Sequence, residues 1–270
     1  IPFLFLVSFV SLFFGSGDAS ETKSHAMSRW VSFGGAILFL SLVFYTSFSA
    51  LEYQWNWESA LRYKKKFADG WIATLWISTL SLFFAFLIGS LATLCQRVRI
   101  PPIRHLSMIY VELTRGTPLL VQIFFFFYVV ADAASIQNRY IVGIAIMAIF
   151  SGAYISEILR AGIEGVGKSQ LLSAKAIGFS EYQTFRYVIV PQALRSSLPA
   201  LAGQTANLIK DSSLLSVIAI SEFTLNAQEV NAITYSSFES FFPLAFGYLI
   251  LTLPIMWLSR SIENRLRFET

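Results

Sequence analysis

The sequence predicts an all-α, polytopic membrane protein. Three observations predict it. Of 270 residues, 55% are hydrophobic and only 13% charged, about half the charge of a soluble domain, where about a quarter is usual. The mean hydropathy is +0.61. Beyond residue 30, four segments of 17 to 26 residues carry no charge at all, and a spanning helix needs about 20 apolar residues. The same composition excludes a disordered chain. One cysteine excludes an internal disulfide, and two histidines, His25 and His105, leave little for a metal centre.

The elements follow in order. Residues 1–26 hold a 14-residue apolar stretch broken at Gly15-Ser16-Gly17, and they read either as a signal-like segment or as an extension ahead of Met27. Val31 to Leu51 is the first predicted span. Glu52 to Gly70 follows. Its Arg62 and Lys64-Lys65-Lys66, flanked by Trp55, Trp57 and Trp71, predict an amphipathic helix lying on the outer interface. Trp71 to Gln96 is the second span, and Tyr140 to Ser156, extended toward Gly162, is another. Ser240 to Ser259 is the last, with Pro243 and Pro254 inside it, which bilayer helices tolerate.

Two apolar segments carry charge. Ile103 to Ala131 contains Arg104, His105, Glu112 and Arg115, and its 29 residues exceed a bilayer core if straight. Gly116-Thr117-Pro118 predicts a break there. Ser196 to Ser221 holds Lys210 and Asp211. Both read as spans facing protein rather than lipid.

Lys and Arg fix the orientation, because they collect in cytoplasmic loops. Arg97, Arg99 and Arg104 lie inside, as do Lys168, Lys175, Arg186 and Arg195. Arg260, Arg265 and Arg267 put the C-terminus there too. The segment 222–239, with Glu222, Glu229 and Glu239, falls outside and offers acid to an external partner. Only Arg62 with the lysine run at 64–66 dissents.

The internal stretch of about residues 161–195 is too long for a plain connector and carries helix punctuation. Ser169 caps a predicted helix from Gln170 to Ile177, closed by Gly178. Ser180 caps a second helix, with Gln183 three residues on, running to Pro191, which ends or kinks it. Gly162 to Lys168, rich in glycine, reads as flexible chain at the start of this loop. Two short helices on one membrane face make a knuckle able to take force from a soluble partner.

No catalytic set is visible. Phosphate-cradling Gly-x-x-x-x-Gly-Lys-Ser/Thr is absent, and the basic residues are spread over membrane ends, which leaves no nucleic-acid patch. The informative residues are polar ones inside spans, where charge is costly and usually functional. Glu112, Arg115 and Gln122, with Thr117 at the break, share a face if their helix is continuous. Glu157 and Arg160 are spaced i, i+3. Gln204, Asn207 and Asp211, at i, i+3 and i+7, mark a third helix, with Lys210 beside Asn207. A zwitterionic ligand needs partners of both signs, and these faces supply them; pairing of Glu112 with Arg115 and of Glu157 with Arg160 inside their own helices is the competing reading.

The stretches Gln170 to Gly178 and Phe185 to Arg195 resemble the EAA loop of ABC importer permeases. Tyr110 to Gln122, Ala153 to Ile163, Leu198 to Asn207 and Leu208 to Val217 resemble the polar amino acid branch (histidine, glutamine and arginine type) of that family. The likeness runs from about Gly70 to Arg267. It implies a five-helix permease core over 70–270, with residues 27–69 adding a transmembrane helix and an interfacial stretch. It implies import of a polar amino acid by alternating access across a bacterial plasma (inner) membrane. The implied partners are an ATPase subunit dimer that binds ATP and Mg, a second permease copy (homo- or heterodimer) and an external solute-binding protein. The chain itself would hold no cofactor. Leu172, Ser173, Ala174, Gly178, Phe179 and Pro191 would form the ATPase coupling loop. Aligned on Gly178, the family's glutamate is replaced by Leu172, so one of the family's acidic docking contacts is missing. A self-sufficient secondary transporter or channel is the alternative, but it predicts inverted repeats, and none is visible.

Overall fold

The computed structural model describes residues 55–266, with 32, 34–43, 45, 46 and 53 before them. The chain divides into two units at residues 55 and 56. In the first, Gly34–Val43 is an apolar helix (α1), and the Thr46 hydroxyl donates to the carbonyls of Leu42 and Val43. The remainder of the predicted Val31–Leu51 span, and residues 1–26, lie outside the described residues.

The second unit is built of helices joined by short turns, with no strand among its described residues. A short helix α2, Trp57–Leu61, is capped by the Asn56 side chain. Helix α3 then runs unbroken for 32 residues, Lys64–Cys95. The lysine run is therefore the first turn of the span and not a separate helix lying on the interface, because nothing between Tyr63 and Trp71 breaks the helix. Its buried face is made of small residues, among them Ala73, Ser81, Ala85, Gly89 and Ala92. Small residues let two helix backbones approach closely where lipid gives no hydrophobic drive between helices.

The partner is α6, Arg139–Glu164, whose Asn138 side chain caps Tyr140 and Ile141. The Ser81 hydroxyl donates to the Ile144 carbonyl (3.5 Å) and the Thr93 hydroxyl to that of Ser156 (3.1 Å), in both cases 63 residues apart. Both helices thus run in the same direction at a fixed register. Gly89 sits where α6 comes nearest: a Cβ there would lie 2.7 Å from the Gly152 carbonyl oxygen.

Between them lie α4, Pro101–Gly116, and α5, Leu119–Phe125, the latter continued by a π turn over Phe126–Ala131. They are bent by 111° at the predicted break. Pro118 excludes the helical conformation from the residue before it, and Thr117 is extended at φ −121°, ψ 145°. The freed carbonyls are recovered by Gln122, whose amide donates to the Thr114 carbonyl (2.7 Å), the Thr117 carbonyl (3.2 Å) and the Thr117 hydroxyl (2.8 Å).

After α6 come α7, Lys168–Ala176, and α8, Glu181–Thr184, continued by a π turn over Phe185–Ile189 and then by α9, Val190–Asp211. Ser180 and Gln183 form both arms of the predicted capping box, and Gly178 takes the left-handed conformation, φ +82°. Two expectations fail here, and one arm of a third. The cap of α7 is Gly167 rather than Ser169, and no side chain caps it. Pro191 does not end the second helix: it is the second residue of α9, directly after the π turn, where a wider ring leaves room for a residue without an N–H. Gly162 is not flexible chain but part of α6, pressed against α9, where an added Cβ would meet the Ser197 hydroxyl at 2.2 Å and the Ala193 carbonyl at 2.8 Å.

Helix α9 runs against α6 in the opposite sense, with Ser197 donating to the Ile158 carbonyl and Gln204 to the Ser151 hydroxyl. A 3-10 turn, Ser212–Ile218, leads to α10, Phe223–Thr234, and then α11, Ser237–Leu266, which contains Pro243 and Pro254. The apolar core joins Ile77, Ile123, Met147, Leu208, Leu215 and Ile220. The hydroxyl of Ser259 in α11 donates to the Pro199 carbonyl in α9.

Glu222 and Glu239 are fully buried, so the segment 222–239 does not present the acidic surface its composition suggests. Glu222 caps α10 through the Thr224 and Leu225 amides and accepts from Tyr248 of α11. Glu239 accepts from the Asn56 amide. Glu229 pairs with Lys66.

Candidate functional site

The charged residues of α4 and α6 meet in one cleft of about 710 Å³, lined by Arg104, Glu112 and Arg115 of α4, by Glu157, Arg160 and Glu164 of α6, and by Gln96 and Arg97 from the turn between α3 and α4. Arg160 grips Glu157 at both carboxylate oxygens (2.6 and 2.9 Å) and reaches Glu164 with its remaining nitrogen. Arg115 crosses from the neighbouring helix to Glu157 at 3.5 Å and lies over the Tyr154 ring, 5.6 Å from its centre. Glu112 forms no ion pair among the described residues. Of the two expected intrahelical pairs, Glu157–Arg160 forms and Glu112–Arg115 does not, because Glu157 draws Arg115 away.

The structure brings Glu112, Arg115, Glu157 and Arg160 together but separates the others. Gln122 and Thr117 do not share a face with Glu112: the 111° bend turns α5 away, and both are spent closing the break. Gln204 is buried against Ser151. Asn207 and Lys210 are exposed on α9. They lie beyond the Ser197–Ile158 contact by ten residues or more, roughly 15 Å along the helix. Sequence reasoning missed Glu164, which the i, i+4 spacing from Arg160 makes findable, Arg97 and Arg104, which only the folding of three segments into one wall brings to the cleft, and Tyr154, whose ring lies under Arg115.

At the end of the bundle where α6 gives way to α9, α7 and α8 form the knuckle. Leu172, at the position aligned with the missing glutamate, is 67% exposed, Ser173 and Gly178 are exposed, and Ala174 is buried beneath them. Phe179 contacts the Tyr187 ring at 6.3 Å. Gln192 of α9 donates to Gln170 of α7 (2.6 Å), and Arg99 pairs with Glu181 (3.3 Å). Pro191 is exposed at the start of α9.

Residues 85–268 match the model of the binding-protein-dependent transport system inner membrane component family. The chain belongs to this family. The permease is similar to the glutamine transport system permease protein of Escherichia coli strain K12, 33% identical over 216 residues that cover 79% of this chain and 99% of that one. A probable glutamine ABC transporter permease protein of Bacillus subtilis strain 168 is 32% identical over 200 residues, covering 74% of this chain and 93% of its own. Among solved structures, an amino acid ABC transporter with histidines superposes with a TM-score of 0.74 at 32% identity, covering 79% of this chain and all of that one. An inward-facing methionine ABC transporter shares the fold, with a TM-score of 0.61 at 16% identity over 73% of this chain and 94% of that one. The permease is thus a multi-pass inner membrane component of an ABC transporter. Its family is one of transport components rather than enzymes, and the reading as a self-sufficient secondary transporter or channel is set aside.

Proposed function

We propose that the permease is one transmembrane subunit of an ATP-driven importer of polar amino acids. The observation that carries the substrate class is the cleft. Arg115 and Glu157 meet there from different helices, and Glu112 stands beside them unpaired. A zwitterion offers a carboxylate to the guanidinium and an ammonium to the free carboxylate, displacing Arg115 from a contact already stretched to 3.5 Å. The names of the relatives, glutamine transport permeases, agree with this class. Arg160, held by two carboxylates, fixes Glu157 in place. The exposed Asn207 and Lys210 continue the path along α9, while Gln122 and Thr117 hold the bend between α4 and α5 and Gln204 holds α9 against α6.

In this reading the permease domain starts with α3 at Lys64, six residues ahead of the expected boundary at 70, the residues before it add a helix, and the loop at about 161–195 couples to the ATPase. The knuckle and the C-terminus lie in the cytoplasm, where Lys168, Lys175, Arg186, Arg195 and Arg260 collect. An ATPase dimer, holding ATP and Mg, takes Leu172, Ser173, Gly178 and Phe179 into its groove. Closure of that dimer moves two knuckles, one from each of two permease copies, and opens the outer side. An external binding protein delivers the amino acid to the opposite end.

The test is a proteoliposome assay of the permease with its ATPase and binding protein, in which ligand-dependent ATP hydrolysis and uptake are read across the amino acids. A polar amino acid is expected to stimulate both. Arg115→Ala, Glu157→Ala and Asn207→Ala are expected to insert normally and to change the uptake kinetics. Unchanged kinetics in all three, or no stimulation by any amino acid, overturns the proposal.

A further inference from the structure

The cations at the start of α3 are left over by everything above. Four of them, Arg62 and Lys64 to Lys66, sit at the end of the bundle opposite the knuckle, against the rule that collects positive charge on the cytoplasmic side. The lysines also occupy the first turn of a 32-residue helix, where the helix dipole repels positive charge. Beside them is a second cavity of about 650 Å³, lined by Arg62, Lys65, Lys66, Asp69, Trp76 and Tyr140, among others. Lys66 is engaged by Glu229. Arg62 is held only by an exposed pair with Glu58, a kind of contact that contributes little. Lys65 forms no ion pair among the described residues.

The face of α3 that carries Lys65 continues downward as an exposed apolar ridge. Ile72, Trp76, Leu80, Phe83, Leu87, Leu91 and Leu94 follow at three- and four-residue steps, all of them exposed, the spacing of one helix face. From Ile72 to Leu94 the ridge is roughly 33 Å long, close to the hydrocarbon thickness of about 30 Å. Lys65 lies seven residues beyond its upper end, roughly 10 Å further, at the depth of the headgroups. Trp76 and Tyr140, whose rings are 5.6 Å apart, stand where aromatic residues gather at a bilayer interface.

We propose that this cavity binds the headgroup of an anionic glycerophospholipid. Lys65 and Arg62 take the phosphate, Asp69 accepts from the headgroup hydroxyls, the Trp76–Tyr140 pair packs on the glycerol region, and the acyl chains lie along the ridge. The phosphate neutralises the cations that the helix dipole and the topology both disfavour. The leaflet, the outer one, rests on the orientation proposed above; the site itself does not.

The experiment is native mass spectrometry of the full chain, released from detergent with phosphatidylglycerol or with phosphatidylcholine. It uses neither ATP nor amino acid, so its outcome is separate from that of the transport assay. The wild type is expected to retain phosphatidylglycerol preferentially and to lose that preference at high salt. Each cation removed is expected to lower the affinity about fivefold, so Arg62→Gln/Lys65→Gln loses roughly 25-fold, Lys65→Gln alone about fivefold, and Lys175→Gln at the other end nothing. Equal retention of the two lipids by the wild type, which needs no variant, overturns the proposal. So does an unchanged preference in the double variant. Occupancy by inorganic phosphate alone at comparable affinity assigns the site to a free anion and overturns the lipid, and an effect of the double variant on binding of an acidic external protein without any effect on lipid does the same.

Discussion

Gly89→Ala tests how tightly α3 and α6 are bound. An added Cβ would lie 2.7 Å from the Gly152 carbonyl oxygen and 2.8 Å from the Ile155 side chain. The first is backbone and cannot rotate aside, so the helices must part by roughly 0.7 Å to regain van der Waals contact. One turn below, the Thr93 hydroxyl bonds to the Ser156 carbonyl (3.1 Å) and hydroxyl (3.2 Å), and both contacts stretch with the parting. Overpacking of this kind costs about 1–3 kcal/mol. Gly203→Ala is the matched control. It lies inside α9 with nothing within 4 Å of its added Cβ, and alanine there gains about 0.5–1 kcal/mol of helix propensity. The assay is reversible unfolding in mixed micelles with increasing dodecyl sulfate, followed by circular dichroism. Gly89→Ala is expected to unfold at lower denaturant than the wild type and Gly203→Ala at equal or higher denaturant. If the two variants unfold together, the close approach does not hold the bundle, and the packing argument is wrong.

Three further outcomes are expected. Gln122→Leu strips the break between α4 and α5 of three hydrogen bonds and leaves the Thr114 carbonyl unpaired; a loss of about 1–3 kcal/mol and faster amide exchange at residues 114–122 are expected, and unchanged exchange counts against that role. Gly178→Ala forces a side chain into a left-handed backbone at about 1–2 kcal/mol and is expected to lower ligand-stimulated ATP hydrolysis in the complex, with Gly178→Asn closer to wild type; equal activity of all three detaches the turn from coupling. Burial holds the Glu222 carboxyl above its ordinary value of 4.5, against the pull of the Thr224 and Leu225 amides and the Tyr248 hydroxyl. The folded state then binds this proton more tightly than the unfolded one, so its stabilisation is complete below pH 4.5 and is lost as pH rises through the raised value. Melting temperatures measured across that window are expected to fall with pH in the wild type and less steeply in Glu222→Gln; parallel slopes refute the assignment.

Much of the fold was legible because apolar run length and turn chemistry are local. The charge-free runs became α3, α6 and α11, Gly116-Thr117-Pro118 became the 111° bend, and Ser180 with Gln183 became a complete capping box. The failures lie where a residue's role depended on what packs against it or on how far a helix continues. Gly162 reads as loop until α9 closes on it. The lysines at 64–66 read as a separate helix until the chain proves to have no reason to stop. Glu222 reads as surface acid until Thr74, Tyr248 and two amides surround it. In the cleft, the i, i+3 spacing of Glu157 and Arg160 was readable, whereas the crossing of Arg115 to Glu157 depends on how α4 packs against α6.

The common direction of α3 and α6 has a consequence for counting. Two neighbouring spans that run the same way require the chain between them to return to its starting side. Residues 96–138 therefore traverse the membrane once, however sharply α4 and α5 are bent. From there the parity is fixed: α9 runs back against α6, and α11 descends from the level of Thr74, which Glu222 links to Tyr248, to that of Pro199, where Ser259 binds. The knuckle and the C-terminal end of α11 thus share a side by handedness of contact alone, with no charge counted.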